Sequence, residues 1–191
     1  TRETNMSESK RYTLTTQQAQ TIRKALSTCD GKWWIAVRWG EKWVVNRHTK
    51  TKEFGTLLGS DGTHVTEGLE GVEIALFFGP KTTILGDVHK VLECSEIRGI
   101  RMERLRQFTD LTPLKHCSSL QSLVLSWCSS LVDISPIKNL KGIHTLSLSR
   151  CSSLTDISPI KNLENIHTLN LSGCKADVSP IKNLRNIHTL N

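Results

Sequence analysis

LQSLVLSWCSSLVDISPIKNL at residues 120–140 is followed by IHTLSLSRCSSLTDISPIKNL at 143–163 and IHTLNLSGCKADVSPIKNL at 166–184, and the phrase begins again as IHTLN at 187–191. Pro113, Pro136 and Pro159 lie 23 residues apart, and Pro180 follows after 21. The same frame carried backward finds a degenerate copy. Ile97, Leu120, Ile143, Ile166 and Ile187 are equivalent. So are Ile100, Leu123, Leu146, Leu169 and Leu190, and so are Met102, Leu125, Leu148 and Leu171. The repeat therefore starts at Ile97 and divides as 97–119, 120–142, 143–165, 166–186 and an incomplete 187–191. A two-residue deletion between Cys174 and Asp177 makes the shorter step. Self-similarity at such a period marks a solenoid of stacked coils.

Each slot has a physical reading. Leu123 and Leu125 alternate with Val124, so one side of a short strand is apolar. One coil cannot bury that side alone, and stacking the coils makes a parallel ladder with strands about 4.8 Å apart. The next slot holds Leu105, Cys128, Cys151 and Cys174. A thiol is small, often buried and a weak S–H donor, which suits packing there. Neighbouring Cβ vectors in stacked coils run parallel, a poor geometry for disulfides. Asp133, Asp156 and Asp177 are placed to accept backbone N–H groups in the turn. Ser135, Ser158 and Ser179 precede the prolines and read as N-caps of a short helical turn. Ile137, Leu140, Ile160, Leu163, Ile181 and Leu184 would pack that turn onto the strands. Lys138, Lys161 and Lys182 would then form a basic column on the convex side.

The pattern L-x-x-L-x-L-x-x-[N/C], repeated in register, resembles the leucine-rich repeat. The D-I-S-P-I-x-N-L half is similar to the short repeats of internalins. The form Ser172-Gly173-Cys174 resembles the cysteine-bearing leucine-rich repeat proteins of parasitic protozoa. The resemblance covers residues 97–191. It implies an α/β class chain: a leucine-rich-repeat solenoid with a parallel β-sheet on its concave face. It also implies a protein-binding scaffold, and a slot where many such repeats place Asn.

The strand positions between the core leucines are expected on the concave side. They vary where the rest of the repeat is copied: Arg101, Val124, Ser147 and Asn170 down one column, and Arg104, Trp127, Arg150 and Gly173 down another. With Glu103, Ser126, Ser149 and Ser172 between them, these are the candidate partner-binding residues. Tryptophan and arginine are enriched at interface hot spots and attract each other through cation–π contact. Trp127, between Arg104 and Arg150, is the preferred anchor. The plainer alternative is a tryptophan that shields the edge of the sheet. His144, His167 and His188 recur once per coil with no carboxylate beside them in the repeat. They read as copied surface residues rather than a metal site.

Residues 1–12 are polar and read as a disordered lead-in. Thr15 with Gln18 fits a capping box, Ala19, Ile22, Ala25 and Leu26 share a helix face, and Asp30-Gly31 is the expected stop. Trp33, Ile35, Val37 and Trp39 alternate with Trp34, Ala36 and Arg38. Gly40-Glu41 reads as a turn and Trp43-Val44-Val45 as the returning strand. Glu53–Leu58 reads as a third strand. Val72–Phe78 and Thr82–Leu85 read as a second hairpin about Gly79-Pro80, and Val88–Ser95 as a short amphipathic helix. Residues 13–96 thus form a small α+β unit expected to cap the first coil. Its glycines at 55, 59 and 62 match no phosphate-binding loop and read as turn residues. Arg38, Lys42, Arg47, His48, Lys50 and Lys52 among the tryptophans have the composition of a base-stacking surface. Core packing with a solvated edge explains them more simply. His48 and His64 lack partners at metal-ligand spacing and read as surface histidines.

The chain carries a formal net charge of +7, and residues 97–191 hold 12 Lys/Arg against 6 Asp/Glu. The basic half fits an acidic partner protein, nucleic acid or an anionic surface. Its basic columns lie on separate faces, which argues against a single phosphate track. No nucleophile elbow, HExxH or zinc pattern places the available Ser, His and Asp for catalysis. No catalytic residue, metal site, cofactor or small-molecule substrate is therefore expected. The leading function is a protein–protein interaction scaffold. The alternatives are the repeat part of a larger enzyme or regulatory protein, and nucleic-acid binding. No apolar run approaches the roughly 20 residues of a membrane span. Six cysteines without C-x-x-C spacing favour a reducing compartment, the cytoplasm. Both ends look cut, which keeps a surface or secreted location as the alternative.

Overall fold

The computed structural model describes residues 9–38, 54–71 and 73–191. In chain order the strands are β1 (Lys10–Tyr12), β2 (Trp33–Arg38), β3 (Phe54–Gly59), β4 (Leu69–Gly71), β5 (Glu73–Phe78), β6 (Gly99–Glu103), β7 (Ser122–Ser126), β8 (Thr145–Ser147), β9 (Thr168–Asn170) and β10 (Thr189–Leu190). Two helices, α1 (Thr16–Ala25) and α2 (Val88–Glu93), precede the repeat. Eight strands make one sheet in the order β10-β9-β8-β7-β6-β5-β2-β3. Every neighbour from β5 to β10 is parallel, while β2 is antiparallel to both β5 and β3.

The repeat half winds as a solenoid with a parallel sheet, one strand per coil and in register. Ile100, Leu123, Leu146 and Leu169 stand side by side and are fully buried. One carbonyl per coil holds two N–H groups of the next: Arg98 O accepts from Gln121 and Ser122, Gln121 O from His144 and Thr145, and His144 O from His167 and Thr168. The return path runs through 3-10 turns at Thr112–His116, Ser135–Asn139, Ser158–Asn162 and Ser179–Ile181. The serines do not cap them: Ile134, Ile157 and Val178 occupy the cap positions, with no side-chain bond. The expected aspartates act instead. Asp133, Asp156 and Asp177 Oδ1 accept the N–H of Ser135, Ser158 and Ser179 at 2.7, 2.8 and 3.0 Å. Asp110 does the same for Thr112 at 2.8 Å. A carboxylate two residues upstream reaches this N–H without distorting the turn.

In the cysteine slot, Cys151 and Cys174 Sγ donate to Leu125 and Leu148 O at 2.8 and 2.9 Å, and Cys128 Sγ points to Met102 O at 3.7 Å. Each thiol thus reaches the carbonyl of the coil before it. All six cysteines are free.

The N-terminal elements join this sheet through β5. Ala75–Phe78 pairs with Gly99–Met102, so the ladder runs unbroken from the antiparallel part into the coils. One apolar core follows it, from Leu14 and Ile22 through Val88, Val91 and Ile97 to Ile160 and Ile181. The capping box at Thr15 forms: its Oγ1 accepts the Gln18 N–H at 3.1 Å and its own N–H donates to Gln18 Oε1 at 2.9 Å. Gln18 Nε2 also donates to Cys94 O at 2.8 Å, tying α1 to the end of α2.

Several expectations are corrected. Lys10–Tyr12 is not part of a disordered lead-in but pairs with Leu69–Gly71. α1 ends at Ala25, before Asp30-Gly31. The Asp30 carboxylate serves another purpose: it accepts the N–H groups of Thr83 and Ile84 at 2.8 and 2.9 Å, and the Thr83 hydroxyl. Those N–H groups are thereby withdrawn from any ladder, so Thr82–Leu85 is not a strand and the hairpin about Gly79-Pro80 does not form. β3 begins one residue later than expected and ends one residue later, at Gly59. His64 is half-buried, with Nε2 3.0 Å from Leu14 O, rather than a free surface residue. Trp39–Val45 and His48 lie outside the described residues.

Candidate functional site

The varied columns meet at the C-terminal ends of the strands. There the backbone turns out of the sheet through a residue in the left-handed region: Arg104 at φ 62°, Trp127 at 62°, Arg150 at 58° and Gly173 at 76°. The turn is locked coil to coil. The N–H groups of Arg104, Trp127 and Arg150 donate to Ser126, Ser149 and Ser172 O at 2.8, 2.8 and 2.7 Å. Glycine enters this region freely, whereas a residue with a Cβ does so at a cost. Only the fourth coil uses glycine.

Trp127 is 46% exposed. The Arg150 guanidinium lies over its indole, 4.4 Å from the ring centroid. Gly173 makes room for this: a Cβ there would meet Arg150 Cγ at 3.1 Å. Arg104 and Ser172 are exposed on either side. Behind this edge the concave face is polar and close-knit. Ser149 Oγ donates to Ser126 Oγ at 3.0 Å, and Ser147 Oγ lies 3.4 Å from Ser126 Oγ. Asn170 Oδ1 is turned to the Ser172 N–H at 3.0 Å.

Two expected contact residues are placed differently. Val124 shares the face of Arg101 and Ser147 but is only 6% exposed, covered by its neighbours rather than offered as a contact surface. Arg101 forms an ion pair with Glu103 at 3.1 Å and its guanidinium lies 6.0 Å from the centroid of Phe77. Burial pulls its pKa below the ordinary arginine value, and Glu103 opposes that. Trp127, Arg150, Arg104 and Ser172 are therefore the accessible members of the set. Ser126, Ser147, Ser149 and Asn170 are half-buried beside them.

The same face of the sheet continues into the N-terminal strands, which the repeat pattern does not reveal. Register places Ala75 beside Gly99 and Phe77 beside Arg101. Phe77 stacks on Trp34 with centroids 5.5 Å apart and planes within 8°, and Ala36 and Ala75 are buried with them. The alternation of Ala75 and Phe77 against Ile74 and Leu76 was the available signal.

The histidines form a stacked column away from this edge: His144–His167 and His167–His188 rings are each 5.3 Å apart. Among the described residues no group of three or more His, Cys, Asp or Glu is arranged to hold a metal ion. Nor is any helix there long and apolar enough to cross a membrane. Two of the three buried thiols, Cys117 and Cys151, are poor nucleophiles, while the contact with Cys151 lowers the pKa of Cys128. Burial pushes Cys117 up to about 12, and the contact with Cys128 together with burial raises Cys151.

No family model matches the chain, and no curated protein matches it. Among solved structures, internalin C2 from Listeria monocytogenes aligns with 69% of this chain and 87% of its own, at 20% identity and a TM-score of 0.23. The leucine-rich-repeat ectodomain of the receptor kinase SOBIR1 from Arabidopsis thaliana aligns with 91% and 88%, at 14% identity and a TM-score of 0.40.

Proposed function

We propose that this chain is a non-catalytic scaffold that holds a partner protein at the edge of its concave face, around Trp127 and Arg150. The observation that carries this reading is the left-handed column. Three consecutive coils keep Arg104, Trp127 and Arg150 where the backbone favours glycine. Strained backbone positions cluster at functional sites. These are also the side-chain types that dominate interface energies. In the same reading, residues 13–96 are a cap that closes the first coil, with α2 as its lid. The six free thiols favour a reducing compartment such as the cytoplasm.

The test is affinity capture with the intact chain and with a Trp127→Ala, Arg150→Ala double variant. The variant should lose its captured partner, a drop of at least about 100-fold in affinity if both residues are hot spots. Its melting curve should stay cooperative. Normal capture by a folded double variant places the partner elsewhere.

A further inference from the structure

The edge has a charge and a spacing that define what it can hold. Arg104 and Arg106 in the first coil, Arg150 in the third and Lys175 in the fourth lie at the strand ends or just beyond. None of the four makes an ion pair among the described residues. Carboxylates of the first three coils are hydrogen-bonded to other groups. Glu103 is held by Arg101, and Asp133 and Asp156 by turn N–H groups. The Arg150 guanidinium moreover rests over the Trp127 ring, a contact that restricts its orientation before any ligand arrives. A planar guanidinium is matched by a carboxylate, which it can grip with two parallel N–H bonds.

Spacing narrows the ligand further. The backbone positions of Arg104 and Arg150 are two coils apart, about 9.6 Å at the usual distance between paired strands, with the Arg150 head group inclined toward the middle coil. A polyproline II segment rises about 9.3 Å per three-residue turn and presents every third side chain on one side. Trp127 sits midway, where such a segment would lay its apolar turn, as proline-rich segments do on aromatic surfaces. We propose that the edge binds an extended, polyproline-II-like segment of a partner protein with acidic residues three positions apart, one on Arg104 and one on Arg150. This inference rests on the edge being the partner site. Nucleic acid fits less well, because the other basic column, Lys138, Lys161 and Lys182, is on the convex turns and does not extend the track.

The test uses the full chain and fluorescence anisotropy at about 50 mM salt, where surface charges are weakly screened. The probes are a labelled peptide of about twelve residues built from Glu-Pro-Ala turns, its Gln-Pro-Ala counterpart, and a labelled oligothymidylate of equal length. The glutamate peptide should bind, and its glutamine counterpart should bind at least about tenfold more weakly. Arg150→Gln and Arg104→Gln should each weaken the glutamate peptide about tenfold, and Lys138→Gln should not. Equal binding of the two peptides, no binding by either, or tighter binding of the oligonucleotide overturns the proposal. The two readings fail differently. If the glutamate peptide does not bind while the double variant still releases its captured protein, the acidic segment is wrong and the edge stands. If the peptide binds but the double variant captures normally, the edge is not where the partner protein sits.

Discussion

At Arg104, Trp127 and Arg150 the fold asks for a left-handed backbone and the sequence answers with large side chains. For L-residues that region costs about 1–2 kcal/mol, partly offset because glycine loses more chain entropy on folding. Arg104→Gly should therefore stabilise the chain by about 0.5–1 kcal/mol. Trp127→Gly gains the same relief but loses the Arg150 contact, worth about 0.5–1 kcal/mol at an exposed site, so it should be near neutral. Urea melts measure both, as a shift in midpoint at unchanged slope. A destabilised Arg104→Gly would mean that the arginine stays for folding and not for binding. The Trp–Arg pair was legible in the repeat, because the column places those residues one coil apart. The backbone strain was not, since neither residue type signals a positive φ. Only Gly173 in the same slot hinted at it. Val124 misled for a related reason. Its cover comes from neighbouring strands, with Arg101 beside it in register, and its own repeat does not record that.

At the scale of elements, the 3-10 turns are organised by carboxylates. The N–H and hydroxyl groups of Ser158 and Ser179 hold Asp156 and Asp177 below the ordinary carboxylate value, and the Thr112 hydroxyl and N–H do so for Asp110. A group whose folded pKa is depressed adds stability above its unfolded pKa, and that stability is lost as pH falls through the folded value. The melting temperature should thus be insensitive to these residues above about pH 5 and should fall below about pH 4. Changing all three to Asn keeps an acceptor oxygen but removes the titration. The variant should show a shallower acid limb than the wild type in melts from pH 7 to pH 3. Parallel curves would show that these turns carry no proton linkage. The aspartates were readable from the repeat because their bonds span two residues. The Thr82–Leu85 strand was misread for the opposite reason. The acceptor of its N–H groups, Asp30, lies more than fifty residues upstream, beyond any local pattern. The cap of α1, a bond between Thr15 and Gln18, was local and was found.

At the scale of the whole molecule, the consequential feature is the seam between β5 and β6. The sequence predicts coils from Ile97 onward and a cap on the first one, but not that the cap joins it by a parallel strand. Residues 97–191 cut free would leave the Gly99–Glu103 strand without the partner that now takes its N–H and C=O groups. They would also uncover the flank where Val88, Val91 and Leu92 of α2 meet the core at Ile97, Ile100 and Leu114. A buried leucine or isoleucine contributes roughly 1.5–3 kcal/mol on burial, and coil stability in a solenoid depends on nearest-neighbour contacts. Losing one whole interface exceeds what a chain stable by about 5–15 kcal/mol tolerates easily. The 97–191 fragment should therefore show no cooperative thermal transition by circular dichroism and should bind a hydrophobic dye, while a chain from residue 9 melts cooperatively. In that longer chain, Leu114→Ala should lower stability by about 2–5 kcal/mol. The signal from Trp33 and Trp34 in β2 should shift along with the coil signal, because the core is continuous across the seam. A cooperative melt of the isolated coils, or a Leu114→Ala effect confined to the coil signal, would make the N-terminal unit an independent domain and leave the first coil to cap itself.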